Sequence, residues 1–508
     1  MIPVISPGKS PTSRLTLAHL VIGGALVFVA SNLLFAMNLR LAPSAIVGAG
    51  CLGAGFIIIR TASQNSFLAT PVHVPFFALC MGAGFALCLL GGQGHIFYAT
   101  HDWLIRDAVL ADMSASALPA YEWSGQTWFL RAPLGMYLLP GALGRLGGLG
   151  LAHIGMLVQN ACLTGCVLYL LAEAFERRTL GFLAIFVFFS GLDCLGYLRL
   201  VGIDVLPPLH LEGWNPLFQY SSFVTQLFWV PNHGLPGWWF AALLALHLRA
   251  GGLAPILLVF FAAAVLWSPL TMMGALPFVL FILLREARKM FSPAIIQAGV
   301  AGLAFLPVAA YLQADAARIG SRWMLGEEHF GSLYLLFITI EIPHVVFLAT
   351  PAFSQRRNWS GGLVLAILLL LLIPFYNLGV FNDFVMRASI VPLTILGACF
   401  AVRTLELTQL KDPICFAAWT IIAIGALTPL TELVRNMRAP AYAISPCDLV
   451  SSWRELSGSA EGNLDHYMVH ATHTPEWLLA PPQAVIPRLR KAQSCWPDHP
   501  AFRSRAIP

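Results

Sequence analysis

The chain has 508 residues, 58% of them hydrophobic and only 10% charged, with mean hydropathy +0.75; a soluble protein carries roughly 25% charged residues. That excludes a water-soluble globule and predicts an all-α polytopic membrane protein. The net charge of +5 is small, and the basic residues stand in short clusters between apolar runs, which marks topology and argues against a nucleic-acid partner.

The N-terminus, MIPVISPGKSPTSR, leads at Leu15 into an apolar run with no A-x-A-like cleavage site. A retained first helix follows from this, in contact with the lipid bilayer. Lys9 and Arg14 place the N-terminus in the cytoplasm, because short cytoplasmic connections carry Lys and Arg. Spans are expected at about 16–37, 42–59 and 71–92, so the stretch 94–133 falls outside. Segment 133–150 is Gly-rich and broken by Pro140, which predicts a re-entrant or interfacial piece, with 151–174 crossing alone. Further spans are read at about 179–200, 236–248, 253–268, 270–284, 294–313, 332–352, 361–380, 388–407 and 413–433, about thirteen in all.

Basic connections alternate with aromatic ones. The turns at 176–178, Arg249, 285–289, 355–357 and Arg403 with Lys411 are assigned to the cytoplasm. The longer loops 94–133, 202–235 and 314–331 and the turn 376–387 share the opposite face. Residues 1–434 form the membrane domain and 435–508 an extramembrane tail on the outer face, with a short amphipathic helix near 448–457. This fits a bacterial inner membrane with the main loops and C-terminus periplasmic. Eight of the ten cysteines lie in or beside apolar segments, where a thiol is a small packing residue. Cys162 and Cys166 have no His or Cys cluster nearby, so no metal site is read there. Cys447 and Cys495 fall in polar sequence and would pair if the tail faces an oxidising compartment.

The polar outer segments carry the candidate chemistry. His101, Asp102 and Trp103 end the approach to loop 94–133. A half-desolvated Asp102 carboxylate with no cation beside it would have a raised pKa and serve as a general base; its structural role would be a helix N-cap. Arg106 and Asp107 read as a local ion pair. In the second loop His210, Glu212, Gln219, Tyr220, Gln226, Asn232 and His233 crowd among aromatics, a mixture suited to sugar hydroxyls and to the apolar faces of a pyranose. An interfacial aromatic belt explains the rings but not the amides. Asp193 ends a span, where a carboxylate is costly and a functional candidate. Asp383 and Arg387, four apart, make a helical salt bridge or leave Arg387 to hold a phosphate, with Arg318 nearby. No phosphate-binding loop, H-E-x-x-H or dinucleotide fingerprint is present in the sequence.

HDW at 101–103 in a large outer loop, RAPLGMYLLPGALGRL at 131–146, LLAEAFERR at 170–178 and a span ending in Asp193 together resemble the GT-C superfamily of integral-membrane glycosyltransferases. The resemblance covers about residues 71–250 and, more weakly, 376–400. It implies a polyprenyl-phosphate or polyprenyl-pyrophosphate sugar as donor. A lipid, glycan or protein would be the acceptor, Asp102 the catalytic base and Arg387 the phosphate ligand. No soluble cofactor is implied, though a divalent cation would assist the leaving phosphate. The chain differs from the family in having two spans ahead of the one that enters the loop, and a single Asp there where several families have two acidic residues. The same features admit a lipid-linked polysaccharide polymerase or ligase. Glu341, beside Pro343 and His344, is the feature that favours a transporter or flippase of lipid-linked sugars.

Overall fold

The computed structural model describes residues 15–123, 125–202, 210–316, 319–348, 360–379, 382–407, 409, 412–457, 467–482, 485–486 and 494–496. Among these, five helices are long and apolar enough to cross a membrane: Leu17–Ala36 (α1), Leu41–Gln64 (α2), Leu149–Ala174, Pro293–Gln313 and Pro413–Arg438. Shorter apolar helices lie at Val74–Leu90 (α3), Ala254–Ala264, Pro269–Arg285, Phe330–Glu341 and Ser360–Phe375. A helix closes its own backbone hydrogen bonds, which is what lipid demands of a spanning segment. The outward faces are apolar as well. On α2, Leu52, Phe56 and Ile59 stand largely exposed, an arrangement that suits lipid better than water.

After α3 the chain forms α4 (Asp102–Ala115), α5 (Gly135–Gly147) and α6 (Leu149–Ala174). Helix α3 lies directly on α6, and Gly84 and Gly165 make the approach possible. A methyl added at Gly84 would stand 2.6 Å from the Gly165 nitrogen. Small residues at a crossing let backbones pack where lipid supplies no hydrophobic drive. Helix α5 contains Pro140 and has 13 residues, about 20 Å of rise, which is too short to cross alone.

Several expected spans are broken. Segment 179–200 is two short helices, Leu180–Val187 and Asp193–Leu200. At the break the Leu192 N–H donates to the Ile340 carbonyl at 2.9 Å, and Gly191 lies against Glu341. A neighbouring chain thus takes the hydrogen bond that a continuous helix would have made. The helix expected over 332–352 stops at Glu341, just before Pro343.

The connections gather at two ends. At the basic end Arg177 pairs with Glu406 at 3.0 Å, Arg249 with Glu176 at 3.0 Å and His247 with Glu286 at 3.5 Å. At the aromatic end β1 (Ala120–Trp123) and β2 (Gln126–Leu130) form a hairpin inside loop 94–133. There β3 (Ser321–Trp323) pairs antiparallel with β4 (Tyr376–Leu378), joining two more of the long connections. The tail then adds β5 (Met468–His470) antiparallel to β2 and β6 (Val485–Ile486) parallel to β1, in the order β5-β2-β1-β6. A disulfide joins Cys447 to Cys495.

The tail helix Leu449–Ser457 docks on α4 through a buried carboxylate. Asp112 accepts from the Leu449 N–H at 2.9 Å and from the Tyr121 hydroxyl at 2.6 Å. Burial pushes the Asp112 carboxyl up to about 8, against the pull of those two hydrogen bonds.

Gly84→Val should lower stability by about 1–3 kcal/mol or more through overpacking, read as a lower melting temperature in detergent. Asp112 tests the docking of the tail. Its folded pKa lies above the unfolded value, so its contribution to stability is full below about pH 4 and is lost as pH rises toward about 8. Asp112→Asn should therefore flatten the fall in melting temperature between about pH 5 and about pH 9; an unchanged profile would show that this carboxyl is not the titrating group.

Candidate functional site

Helix α4 opens at the aromatic end with His101 at its N-cap position, in helical conformation and without a side-chain cap. Asp102 is therefore the first helical residue rather than the cap, and its charge complements the helix dipole. Arg106, one turn on, lies 3.3 Å from Asp102. Its guanidinium reaches further: Nε donates to the Trp229 carbonyl at 2.8 Å, and Nη1 to Asn232 Oδ1 at 2.8 Å and to the Tyr137 hydroxyl at 3.3 Å. Arg106 thus ties α4 to α5 and to the start of the Pro231–Ala250 helix. It also sets a cation beside Asp102, where the sequence argument for a free carboxylate had none.

The same device occurs a second time. In the short helix Asp383–Ala388, Arg387 Nη2 lies 3.3 Å from Asp383. In each pair the Asp side chain is 38% exposed, while the side chains of Arg106 and Arg387 are 12% and 11% exposed. Both pairs present acid outward and base inward. Arg387 Nε is buried and has no hydrogen-bond partner among the described residues.

The two pairs converge. His233 feels the charges of both Arg387 and Arg106. Its Nδ1 lies 2.6 Å from the Ser268 hydroxyl and its Nε2 3.2 Å from the Asn232 amide. From the tail, the half-buried Tyr467 lies within electrostatic reach of Asp102, Asp383, Arg106 and Tyr137. Burial, helped by the two carboxylates, pushes its phenol up to about 12, so it stays a neutral donor at physiological pH. Tyr467 is held there by its own carbonyl, which accepts the Arg131 N–H at 2.6 Å. Contacts through Arg106 thus bring Asp102, Asn232 and His233 together, Arg387 lies within electrostatic reach of His233, and Arg106, Tyr137 and Tyr467 join them unforeseen.

Other candidates lie elsewhere. His101 is exposed beside the cluster. Trp103 is buried, and its indole donates to the Phe228 carbonyl at 2.7 Å. His210, Glu212 and Gln219 form a second network: Gln219 donates to Glu212 at 3.0 Å, and His210 lies 3.2 Å from Glu432. Glu432, not anticipated, also accepts from the Trp229 indole at 2.6 Å and pairs with Arg435. Burial raises the Glu212 pKa against the pull of His210. Asp193 is fully buried and accepts from Ser190 at 2.8 Å and Thr428 at 2.9 Å. The Tyr220 hydroxyl donates to the Leu370 carbonyl at 2.5 Å, and Gln226 bonds both the Ser221 carbonyl and the Trp238 indole, so these polar groups are already engaged. Asp107 does not pair with Arg106; it faces His95 at 3.0 Å on the other side of α4. Arg318 lies outside the described residues.

An exposed carboxylate backed by a buried guanidinium can take a proton from a hydroxyl or amine, while the cation behind it meets developing negative charge. The two members of a pair should respond differently to mutation. Arg106→Met leaves three acceptors unmet, two of them on the buried residues Tyr137 and Asn232, and should cost about 2–5 kcal/mol of stability. Asp102→Asn, at a half-open position, should leave the melting temperature nearly unchanged. Equal losses in parallel thermal melts would show Asp102 to be structural. In comparisons with known proteins, no family model matches the chain, and no curated protein or solved structure matches it.

Proposed function

We propose that the chain is a membrane glycosyltransferase of the GT-C kind. It would move a sugar from a polyprenyl-phosphate or polyprenyl-pyrophosphate donor to a lipid, glycan or protein acceptor at the aromatic end. In this reading about thirteen spans, some built from paired short helices, cross a bacterial inner membrane, with the N-terminus cytoplasmic and the aromatic end periplasmic. The disulfide between Cys447 and Cys495 supports an oxidising compartment for the tail.

The observation that carries the reading is that Arg106 joins Asp102 to Asn232, whose amide lies 3.2 Å from His233, while Arg387, within electrostatic reach of the same His233, has one buried guanidinium nitrogen unspent. A planar guanidinium pairs well with phosphate oxygens. Asp102 accepts the acceptor's proton as its oxygen or nitrogen bonds to the anomeric carbon. The bond from that carbon to the phosphate oxygen breaks, and its electron pair leaves with the phosphate, which Arg387 holds. In this reading Tyr467 would orient a sugar hydroxyl, and Asn232 would hold Arg106 and His233 in position. One displacement inverts the anomeric centre.

One structural feature favours transport as a second reading. Asp193, Glu212 and Glu341 are buried together, with Glu341 Oε1 accepting from the Trp214 indole at 3.0 Å. Buried carboxylates inside a bundle are the usual parts of a proton pathway.

The test uses purified detergent-solubilised protein and a panel of polyprenyl-phosphate sugars with lipid and glycan acceptors. Wild type should transfer one of them, and Asp102→Asn should lose at least about 100-fold in rate with an unchanged melt. Transfer that persists in the variant, or none by wild type from any donor, overturns the proposal. Lipid-linked sugar crossing reconstituted vesicles, abolished by Glu341→Gln, would then favour transport.

A further inference from the structure

Behind α4, on the side turned away from the Asp102 cluster, three residues from three separate segments meet. His95 comes from the connection after α3, Asp107 from α4 and His153 from the first turns of α6. One ligand atom from each lies within 4.8 Å of the others. Asp107 is fully buried, His153 is 2% exposed and the His95 side chain 5%.

Ordinary hydrogen bonding leaves this trio unaccounted for. Nε2 of His95 and Oδ2 of Asp107 are 3.0 Å apart, a contact that an ion pair with protonated His95 would also make. Both Asp107 oxygens, His95 Nε2 and His153 Nε2 have no hydrogen-bond partner among the described residues. A buried carboxylate without donors is costly. The other nitrogen of His95, Nδ1, lies 3.1 Å from the Tyr442 carbonyl. A carbonyl only accepts, so Nδ1 carries a proton, and in the neutral ring Nε2 is the nitrogen free to bind a metal on the side of the carboxylate. Metal-binding histidines are commonly held this way, by a carbonyl behind the ring. The backbone of His95 is also left-handed, at φ +59°, a conformation costly for a residue with a side chain and typical of positions fixed by function.

We propose that His95 Nε2, His153 Nε2 and an Asp107 oxygen bind one divalent transition-metal ion of the zinc class. Two imidazoles and one carboxylate are a three-ligand zinc set with a fourth position for water. A tetrahedral ion would hold its ligand atoms about 3.3 Å apart; His95 Nε2 and Asp107 Oδ2 are already 3.0 Å apart, and all three ligand atoms lie within 4.8 Å of one another. The site staples α4 to the ends of α3 and α6, so the ion would fix the helix that carries Asp102 and Arg106. The competing arrangement is a plain ion pair of protonated His95 with Asp107. It accounts for one nitrogen and leaves His153 idle.

The proposal does not depend on the sugar-transfer reading, and its test reads metal directly. Full-length protein, purified without an affinity tag that binds metal and stripped with a chelator, is titrated with Co2+ and then with Zn2+. One equivalent of Co2+ should give visible d–d bands that one equivalent of Zn2+ abolishes, and the melting temperature should rise on binding. His153→Gln should lose the bands while keeping the chelator-treated melting temperature. Asp107→Asn should weaken Co2+ binding at least 10-fold. Absence of stoichiometric Co2+ and Zn2+ binding by folded wild type overturns the metal site in favour of the ion pair. Bands that persist in His153→Gln overturn the assignment of ligands.

Discussion

The guanidinium of Arg106 is the group on which the aromatic end depends. It is nearly buried, and it holds together an acid on its own helix, a carbonyl and an amide from the Trp229–Asn232 junction and a phenol from α5. A buried cation with several acceptors is rigid because each bond it breaks leaves a desolvated partner. The position of α4 follows from that rigidity. With α4 fixed, Asp102 points to the open face, Asp107 to the α3–α6 side and Asp112 to the tail helix. One helix thus carries three carboxylates in three environments.

Lipid explains why so much polarity is packed into one end. A spanning helix satisfies its backbone internally and offers no partner to a charged side chain. Polar groups therefore collect where loops meet and must satisfy one another there. The tail takes part in this. Its strands extend the hairpin of loop 94–133, its helix caps Asp112, and its Tyr467 enters the open cluster. A segment that reads as a polar appendix is in fact one wall of the candidate site.

The sequence makes some of this legible for physical reasons. In a chain with 10% charged residues, a patch such as 101–107 stands out without any motif. The spacing of four between Asp383 and Arg387 announces that pair once a helix is assumed, whereas adjacency points Arg106 to Asp107 and hides its pairing with Asp102. Hydropathy locates the apolar segments but not the breaks within them. The interruption at 188–192 depends on a hydrogen bond to Ile340, which no local pattern records. Convergence is likewise invisible: nothing in the sequence says that Arg387 and Arg106 share His233, or that Asp102 and Asp383 share Tyr467. His95 and His153 are hidden for the same reason, since their spacing matches no ligand motif and each alone reads as a core histidine.

The energetics of the two Asp–Arg pairs bear on whether they are there for stability. A half-exposed helical ion pair at spacing four contributes about 0.3–0.5 kcal/mol. Leaving a buried donor unmet costs about 1–3 kcal/mol, and Arg387 Nε is such a donor. For Arg387 the balance is unfavourable if the pair serves folding alone. Arg106 differs, because each of its three guanidinium nitrogens is engaged by the protein. The two guanidiniums therefore divide the work, one spent on architecture and one held in reserve. An anion that reached the unspent nitrogen of Arg387 would recover the missing bond while Asp383 kept the opposite edge of the guanidinium in place. That asymmetry, rather than the pairs themselves, is the physical ground for the proposal that Arg387 holds the donor phosphate while Asp102 takes the acceptor's proton.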